Sequence, residues 1–308
     1  MTRLGWWENT VTTHTDLRSA YLSALKRTVD VDEDTGVPPV LSLPRICGGV
    51  GRELVATTAS LSQLPLRTNP RGWEITAHPS LESRRTAGFM REHWDLGEEL
   101  LPGRVERVMV HVLGPWSLGA SVEFRGHPLI ADRPAFKDVA LTLGEAMGEH
   151  CARLSSAIGA EVYVCMHEPL VSAVETGLPG ATQFHQLDPV HPEIIEGVWH
   201  RFREQVGVPL TRETVDLQMD TATKDSVGAQ LGEGRGVGIL IPTGKGTVEQ
   251  QASRIAKSAM QLWKQWTLPA EQLPELVDFV VPEAVRTPAE ASTVAAIART
   301  SAEMLWRN

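Results

Sequence analysis

Short runs of apolar and β-branched residues alternate along this chain with longer segments in which apolar residues recur at helical spacing. The short runs predict strands near residues 10–13, 40–43, 73–76, 108–113, 162–168, 182–185, 209–217, 237–241 and 277–281. The longer segments predict helices near residues 52–64, 80–101, 135–158, 192–206, 248–266 and 288–306. Strands that alternate with helices indicate repeated βα units and a parallel sheet.

About eight such units in a chain of 308 residues fit an α/β fold of the (β/α)8 TIM-barrel type. We expect residues 40–308 to form the barrel and residues 1–39 to be an extension that packs on it. The N-terminal residues are weakly patterned, so we expect the first strand to be irregular or missing. The main rival is a doubly wound open sheet with a glycine-rich phosphate loop. Residues 48–51 (GGVG) lack the GxGxxG spacing of that loop.

Charge and cysteine usage restrict the class of function. The formal net charge of −9 makes a nucleic-acid partner a poor expectation, because an acidic surface repels phosphate backbones. No apolar run in the sequence is long enough to span a bilayer, so we expect no membrane partner. Three widely spaced cysteines argue against a disulfide framework and for a reducing, cytoplasmic location. A small-molecule ligand is the remaining expectation.

The strand at residues 162–168 ends in an ionisable pair, His167-Glu168, followed by Pro169. The carboxyl ends of parallel strands are where such folds place their chemistry. Strand alternation predicts that Cys165 and His167 lie on one side and Glu168 on the other.

Two interpretations of this strand end stay open. In the first, Cys165 packs as a small core residue and His167 is a hydrogen-bonded residue at the strand end. In the second, Cys165 and His167 are metal ligands, which requires a further ligand from another strand, such as His111 or His185. We take the first interpretation, so no metal or other cofactor is predicted, with zinc as the alternative. The expected substrate-binding residues, each at or just beyond a strand end, are His111, Trp116, Ser117, His167, Glu168 and His185.

Three stretches in order resemble cobalamin-independent methionine synthase and its short actinobacterial relatives. They are residues 114–122 (GPWSLGASV), 164–170 (VCMHEPL) and 280–284 (VVPEA). The resemblance runs from about residue 40 to the C-terminus. It implies a single (β/α)8 barrel of the uroporphyrinogen decarboxylase/methionine synthase superfamily. It also implies methyl transfer from 5-methyltetrahydropteroyltriglutamate to homocysteine.

The chain departs from this family where the family binds its substrate and zinc. His167 stands where the family has an aspartate that holds the amino group of homocysteine. Residues 209–215 (PLTRETV) lack the family's His-x-Cys pair, and Ala284 replaces its last cysteine. The family's zinc site is therefore expected to be lost, and no catalytic residue is assigned. We expect a methyltransferase relative that acts on a small molecule. The alternatives are a non-catalytic barrel that binds a small molecule or protein, and a metal-free lyase or decarboxylase.

Overall fold

A computed structural model describes residues 4–31, 39–180 and 186–307. The strands are β1 Trp6–Thr12, β2 Leu41–Ser42, β3 Arg45–Ile46, β4 Leu66–Asn69, β5 Gly72–Ile75, β6 Arg107–Leu113, β7 Val122–Phe124, β8 His127–Pro128, β9 Glu161–His167, β10 Thr214–Asp216, β11 Val237–Leu240 and β12 Val277–Arg286. The α-helices are α1 Leu17–Thr28, α2 Leu54–Leu61, α3 Leu81–Leu100, α4 Pro115–Ser121, α5 Arg133–Ile158, α6 Val171–Thr176, α7 Pro192–Val206, α8 Thr221–Gly232, α9 Val248–Gln265, α10 Leu273–Leu276 and α11 Pro288–Trp306. The fold is therefore mixed α/β with parallel sheets, as the sequence pattern predicts at this coarser level.

The chain divides into two compact units, each built from separate stretches of sequence. Unit 1 contains the described residues of 4–47, 103–109 and 211–307, and unit 2 contains 48–102 and the described residues of 110–210. In unit 1 the sheet order is β10-β11-β12-β1-β3, and all of its pairs are parallel. The start of β6 pairs with β2 through Leu41 and Val108.

Strand β1 lies between β12 and β3 in the unit 1 sheet, and a buried carboxylate binds the backbone just before it. Asp278 on β12 is fully buried and accepts hydrogen bonds from the amides of Leu4 at 3.2 Å and Gly5 at 2.7 Å. The guanidinium of Arg212, also buried, lies 3.4 Å from the other Asp278 oxygen. The pairing of β1 with β12 shifts register between Glu8 and Thr10. The first strand, expected to be irregular or missing, is therefore present with an irregularity, and it lies within residues 1–39, for which the sequence predicts an extension.

Unit 2 combines a small mixed sheet with a helical layer. β5 pairs antiparallel with β4 and parallel with β7, which pairs antiparallel with β8. The strand predicted at 73–76 therefore exists, but it belongs to a hairpin instead of a βα unit. The long helix α5 packs against α7. Both helices end at glycines with positive φ, Gly159 at 70° and Gly207 at 66°, where a side chain would be strained.

Local sequence signals explain where several helices begin. The side chains of Asp16, Ser80 and Asp132 each accept a backbone amide in the first turn of α1, α3 and α5. Thr247 and Thr287 form capping boxes at the starts of α9 and α11. The predicted strand at 182–185 lies outside the described residues. In the described part of the chain, no helix is both long and apolar enough to cross a membrane.

Candidate functional site

Two histidines and a cysteine converge at the ends of β6 and β9, all within unit 2. We call His111, Cys165 and His167 the His-Cys-His cluster. Its three potential ligand atoms all lie within 4.8 Å of one another. His111 Nδ1 is 3.0 Å from His167 Nε2, and Cys165 Sγ is 3.4 Å from the same Nε2. Cys165 is buried and both histidines are partly buried, so the cluster faces a restricted space.

Backbone hydrogen bonds hold the two strands that carry this cluster. The amide of Gly114, directly after β6, donates to the carbonyl of His167, the last residue of β9, at 2.8 Å. Both strands therefore end at the same edge and run in the same direction. The amide of Leu113 donates to Thr58 Oγ1 at 2.9 Å, which also fixes the end of β6. The three cluster residues thus lie on strands, which hold side chains more precisely than loops do.

Glu168 follows directly after β9, and its carboxylate accepts hydrogen bonds from two backbone amides and an indole. Its Oε1 accepts from the amide of Trp116 at 3.1 Å and from the indole of Trp199 at 2.9 Å. Its Oε2 accepts from the amide of Ser117 at 2.6 Å. We call these four residues the Glu168 bracket. The bracket joins the end of β9 to the first turn of α4 and to α7.

The environment of Glu168 acts on its charge in two opposing ways. Burial raises the pKa of Glu168 above its ordinary value, because the carboxylate loses hydration. The hydrogen bonds from Trp199, Ser117 and Trp116 lower the pKa, but by less than burial raises it. A carboxylate offers about four acceptor positions. Two backbone amides and an indole of the chain donate to Glu168, and the Ser117 side chain also acts on it. This geometry favours a bracing role for Glu168 over that of a ligand anchor.

Ser117 and Trp116, two further predicted site residues, also make contacts within the fold. Ser117 is fully buried, and its Oγ accepts the amide of Leu170, which fixes the loop after β9. Trp116 is buried, with its ring centroid 4.6 Å from that of Phe136, and its indole donates to the carbonyl of Ile195 at 3.3 Å. His185 lies outside the described residues.

Two residues of this region make contacts with Glu168 that the sequence alone does not indicate. Trp199 lies on α7, 31 residues after Glu168, and only the packing of α7 brings its indole to the carboxylate. Gly114 has an ordinary φ of −70°, so backbone freedom does not explain it. A Cβ at Gly114 would overlap the carboxylate of Glu168. A glycine is therefore required at position 114 because the Glu168 carboxylate lies so close to its backbone.

A cavity of about 610 Å³ lies in unit 2, lined by α5, α7 and the 187–190 segment. Trp116, Ile130 and Phe136 contribute apolar surface, and Arg133, Lys137 and Arg201 contribute cations. None of the three cluster residues lines this cavity, whereas Trp116 does. The five predicted substrate-binding residues that the structure describes are thus distributed between the cluster, the bracket and the cavity wall.

The positions that the resemblance assigns to the family's His-x-Cys pair and last cysteine contain neither histidine nor cysteine here. Arg212 lies in the stretch that corresponds to the family's His-x-Cys pair. It forms an ion pair with Asp278 and donates to the carbonyl of Glu275. Ala284 on β12 pairs with Thr10. The residues present do not fit the family's metal site. Comparison with protein-family models finds no match to this chain, and neither does comparison with curated proteins.

Proposed function

We propose that this chain is an α/β-barrel enzyme that acts on a small-molecule thiol, by methyl transfer of the methionine-synthase kind. The observation that carries the proposal is the His-Cys-His cluster at the shared end of β6 and β9. The two imidazole groups of the cluster can accept the proton that a substrate thiol must lose before its sulfur attacks a methyl group. The order of the three resembling stretches supports the reaction class.

We also propose that the observed α/β fold is a barrel. In support, β1 pairs in parallel with β3 on one side and with β12 on the other, so the first and last strands are neighbours. The stretch 41–46 pairs with β6 at its start and with β1 at its end. A parallel bridge joins Val164 to Leu210, four residues before β10. Neighbouring first and last strands are what closure of a barrel requires.

The proposed step requires only the substrate thiol, the methyl donor and an imidazole of the cluster. The substrate thiol gives its proton to an imidazole of the cluster, and the sulfur attacks the donor's methyl carbon. A sulfur–carbon bond forms as the donor's nitrogen–carbon bond breaks, and its electron pair stays on nitrogen, which takes up a proton. The role of the chain is to orient the thiol and to hold the released proton at His111 or His167.

The class of thiol follows from His167. An imidazole does not attract an ammonium group as the family's aspartate does, so we propose a thiol without an amino group. The three cysteines are free, which fits a reducing cytoplasmic location for the protein. Neither a nucleic acid nor a membrane is part of the proposal.

The test compares thiols that differ in the amino group. The purified chain is incubated with a methylated folate and either homocysteine or mercaptopropionate, and methylated product is measured by mass spectrometry. We expect methylation of mercaptopropionate, with little of homocysteine, and loss of product in His111→Ala. Absence of product with both thiols, together with no thiol binding by calorimetry, would overturn the proposal.

A second candidate, a non-catalytic binding protein, is favoured by the cavity beside Trp116. Its apolar wall and basic residues suit a small amphipathic anion. Binding of dodecanoate by calorimetry, weakened at least about tenfold in Arg201→Ala and unchanged in the cluster variant His111→Ala, would support this candidate. The two functions are thus separated by which variant loses its ligand.

A further inference from the structure

The distances within the His-Cys-His cluster match those between ligands of one tetrahedral metal ion. With zinc bonds of about 2.1 Å to nitrogen and about 2.3 Å to sulfur, two nitrogens lie roughly 3.4 Å apart and nitrogen lies roughly 3.6 Å from sulfur. The observed separations are 3.0 Å between the two imidazole nitrogens and 3.4 Å between nitrogen and sulfur. These two separations differ from ligand spacing by a few tenths of an ångström, and the three atoms all lie within 4.8 Å of one another.

The donor set selects a class of ion. One thiolate with two imidazole nitrogens suits zinc and similar borderline ions, whereas magnesium and calcium prefer oxygen ligands. Cys165 and His167 are two residues apart on β9, and His111 comes from the neighbouring strand β6. Ligands from two strands whose ends are tied by the bond from Gly114 to His167 need little rearrangement to bind an ion.

We propose that His111 Nδ1, Cys165 Sγ and His167 Nε2 bind a zinc-class divalent ion and leave its fourth position open. Three protein ligands with one open position are typical of catalytic zinc, whereas structural zinc has four. This site differs from the one that the family resemblance implies, because it uses β6 and β9 instead of residues 209–215 and Ala284.

The ion would also have a role in methyl transfer, and that role rests on the proposed function. With an ion bound, the site would supply Lewis-acid chemistry that lowers the pKa of a substrate thiol, and His111 and His167 would hold the ion instead of the released proton. Ion binding itself rests only on the geometry of the cluster. It is measured without substrate, so failure of ion binding and failure of methyl transfer are distinguishable.

The experiment uses the full chain, freed of metal by a chelator under reducing conditions and titrated with cobalt(II). We expect one equivalent to bind, with the near-ultraviolet charge-transfer band of a cobalt–thiolate bond and the visible bands of tetrahedral cobalt. Zinc should displace the cobalt and should raise the melting temperature, since a ligand that binds the folded state stabilises it.

Variants decide which residues are ligands. Cys165→Ser should abolish the charge-transfer band. His111→Ala and His167→Ala should each weaken cobalt affinity by more than about 100-fold, which exceeds the usual effect of losing a residue that only supports a ligand. Cys47→Ser and His200→Ala, which change the same residue types elsewhere, should keep both band and affinity. Circular dichroism checks that each variant is folded.

Two results would overturn the proposal. The first is binding of much less than one equivalent of cobalt or zinc to the folded wild-type chain. In that case the cluster is a hydrogen-bonded thiol–imidazole group without an ion. The second is a charge-transfer band that persists in Cys165→Ser, which would place the ion at another cysteine.

Discussion

Single residues in this chain carry roles that their type alone does not reveal, and Glu168 is the clearest case. Its position after β9 predicts a residue of the site, but its oxygens accept from Trp116, Ser117 and Trp199. We predict that Glu168→Gln lowers the free energy of unfolding by about 1–3 kcal/mol, because one half of the amide can only donate. Urea denaturation measures the change.

Glu161→Gln is the matched control for that prediction. Glu161 is exposed at the start of the same strand, so its change should alter stability by less than about 0.5 kcal/mol. A Glu168→Gln protein that is as stable as wild type but has lost its small-molecule ligand would restore the alternative, in which Glu168 anchors that ligand.

The candidate site was predictable in part at this scale. Strand alternation correctly places Cys165 and His167 on one side, and His111 is the further histidine that the metal interpretation names. Cys165 is buried, as the core interpretation expects, and also lies 3.4 Å from an imidazole nitrogen. Cys165 can be both buried and close to the histidines, so the core and metal interpretations do not exclude each other. Trp199 could not be predicted, because its contact depends on the packing of α7.

At the scale of elements, the contact between α5 and α7 depends on small residues. A Cβ at Gly148 on α5 would lie 2.6 Å from the carbonyl oxygen of Gln205 on α7, closer than real Cβ contacts. We predict that Gly148→Ala destabilises the protein by about 1–2 kcal/mol, since overpacking exceeds the gain of up to about 1 kcal/mol in helix propensity. Thermal unfolding measures the difference.

The control lies on the partner helix of the same pair. A Cβ at Gly197 on α7 would meet nothing within 4 Å. Gly197→Ala should therefore gain up to about 1 kcal/mol from helix propensity alone. Equal stabilisation by the two alanines would show that α5 and α7 do not approach closely at Gly148.

Element positions follow from the sequence more fully than element pairing does. The predicted helices at 192–206 and 288–306 match α7 and α11, because proline at the first turn marks both starts. The strand predicted at 73–76 is present, yet it pairs antiparallel with Leu66–Asn69. A short apolar run shows that a strand forms, but not which neighbour it pairs with. Helix α1 is absent from the predicted elements, although its buried residues Leu17, Ala20, Tyr21, Ala24 and Leu25 recur at helical spacing.

For the whole molecule, acid stability is set in part by His150 on α5. The residue is buried, with its ring centroid 3.8 Å from that of Trp94. Burial, the nearby Arg153 charge and His93 lower the pKa of His150 from 6.5 to about 4. The unfolded chain therefore binds a proton that the folded chain does not, and stability is lost as the pH falls from about 6.5 through 4.

The size of this effect is on the order of 3 kcal/mol, since one pKa unit corresponds to about 1.4 kcal/mol. We predict that His150→Phe, which keeps an aromatic ring on Trp94, loses this part of the pH dependence between pH 7 and 4. His200→Phe, at an exposed position, should keep it. Urea midpoints across that pH range measure both slopes. An unchanged slope in His150→Phe would assign the acid sensitivity to other groups.

The pairing of β1 with β12 sets the order in which this protein can fold during synthesis. The amide of Gly5 bonds to Asp278, 273 residues later in the chain, so one side of β1 has no neighbour until β12 leaves the ribosome. Pairings this distant fold slowly, and an unpaired strand edge exposes the nascent chain to aggregation. We predict that ribosome-stalled chains ending before residue 277 stay protease-sensitive in residues 4–28, whereas stalled chains that expose the whole of β12 and α11 become resistant. Early resistance in the shorter chains would mean that β1 finds its place with β3 alone.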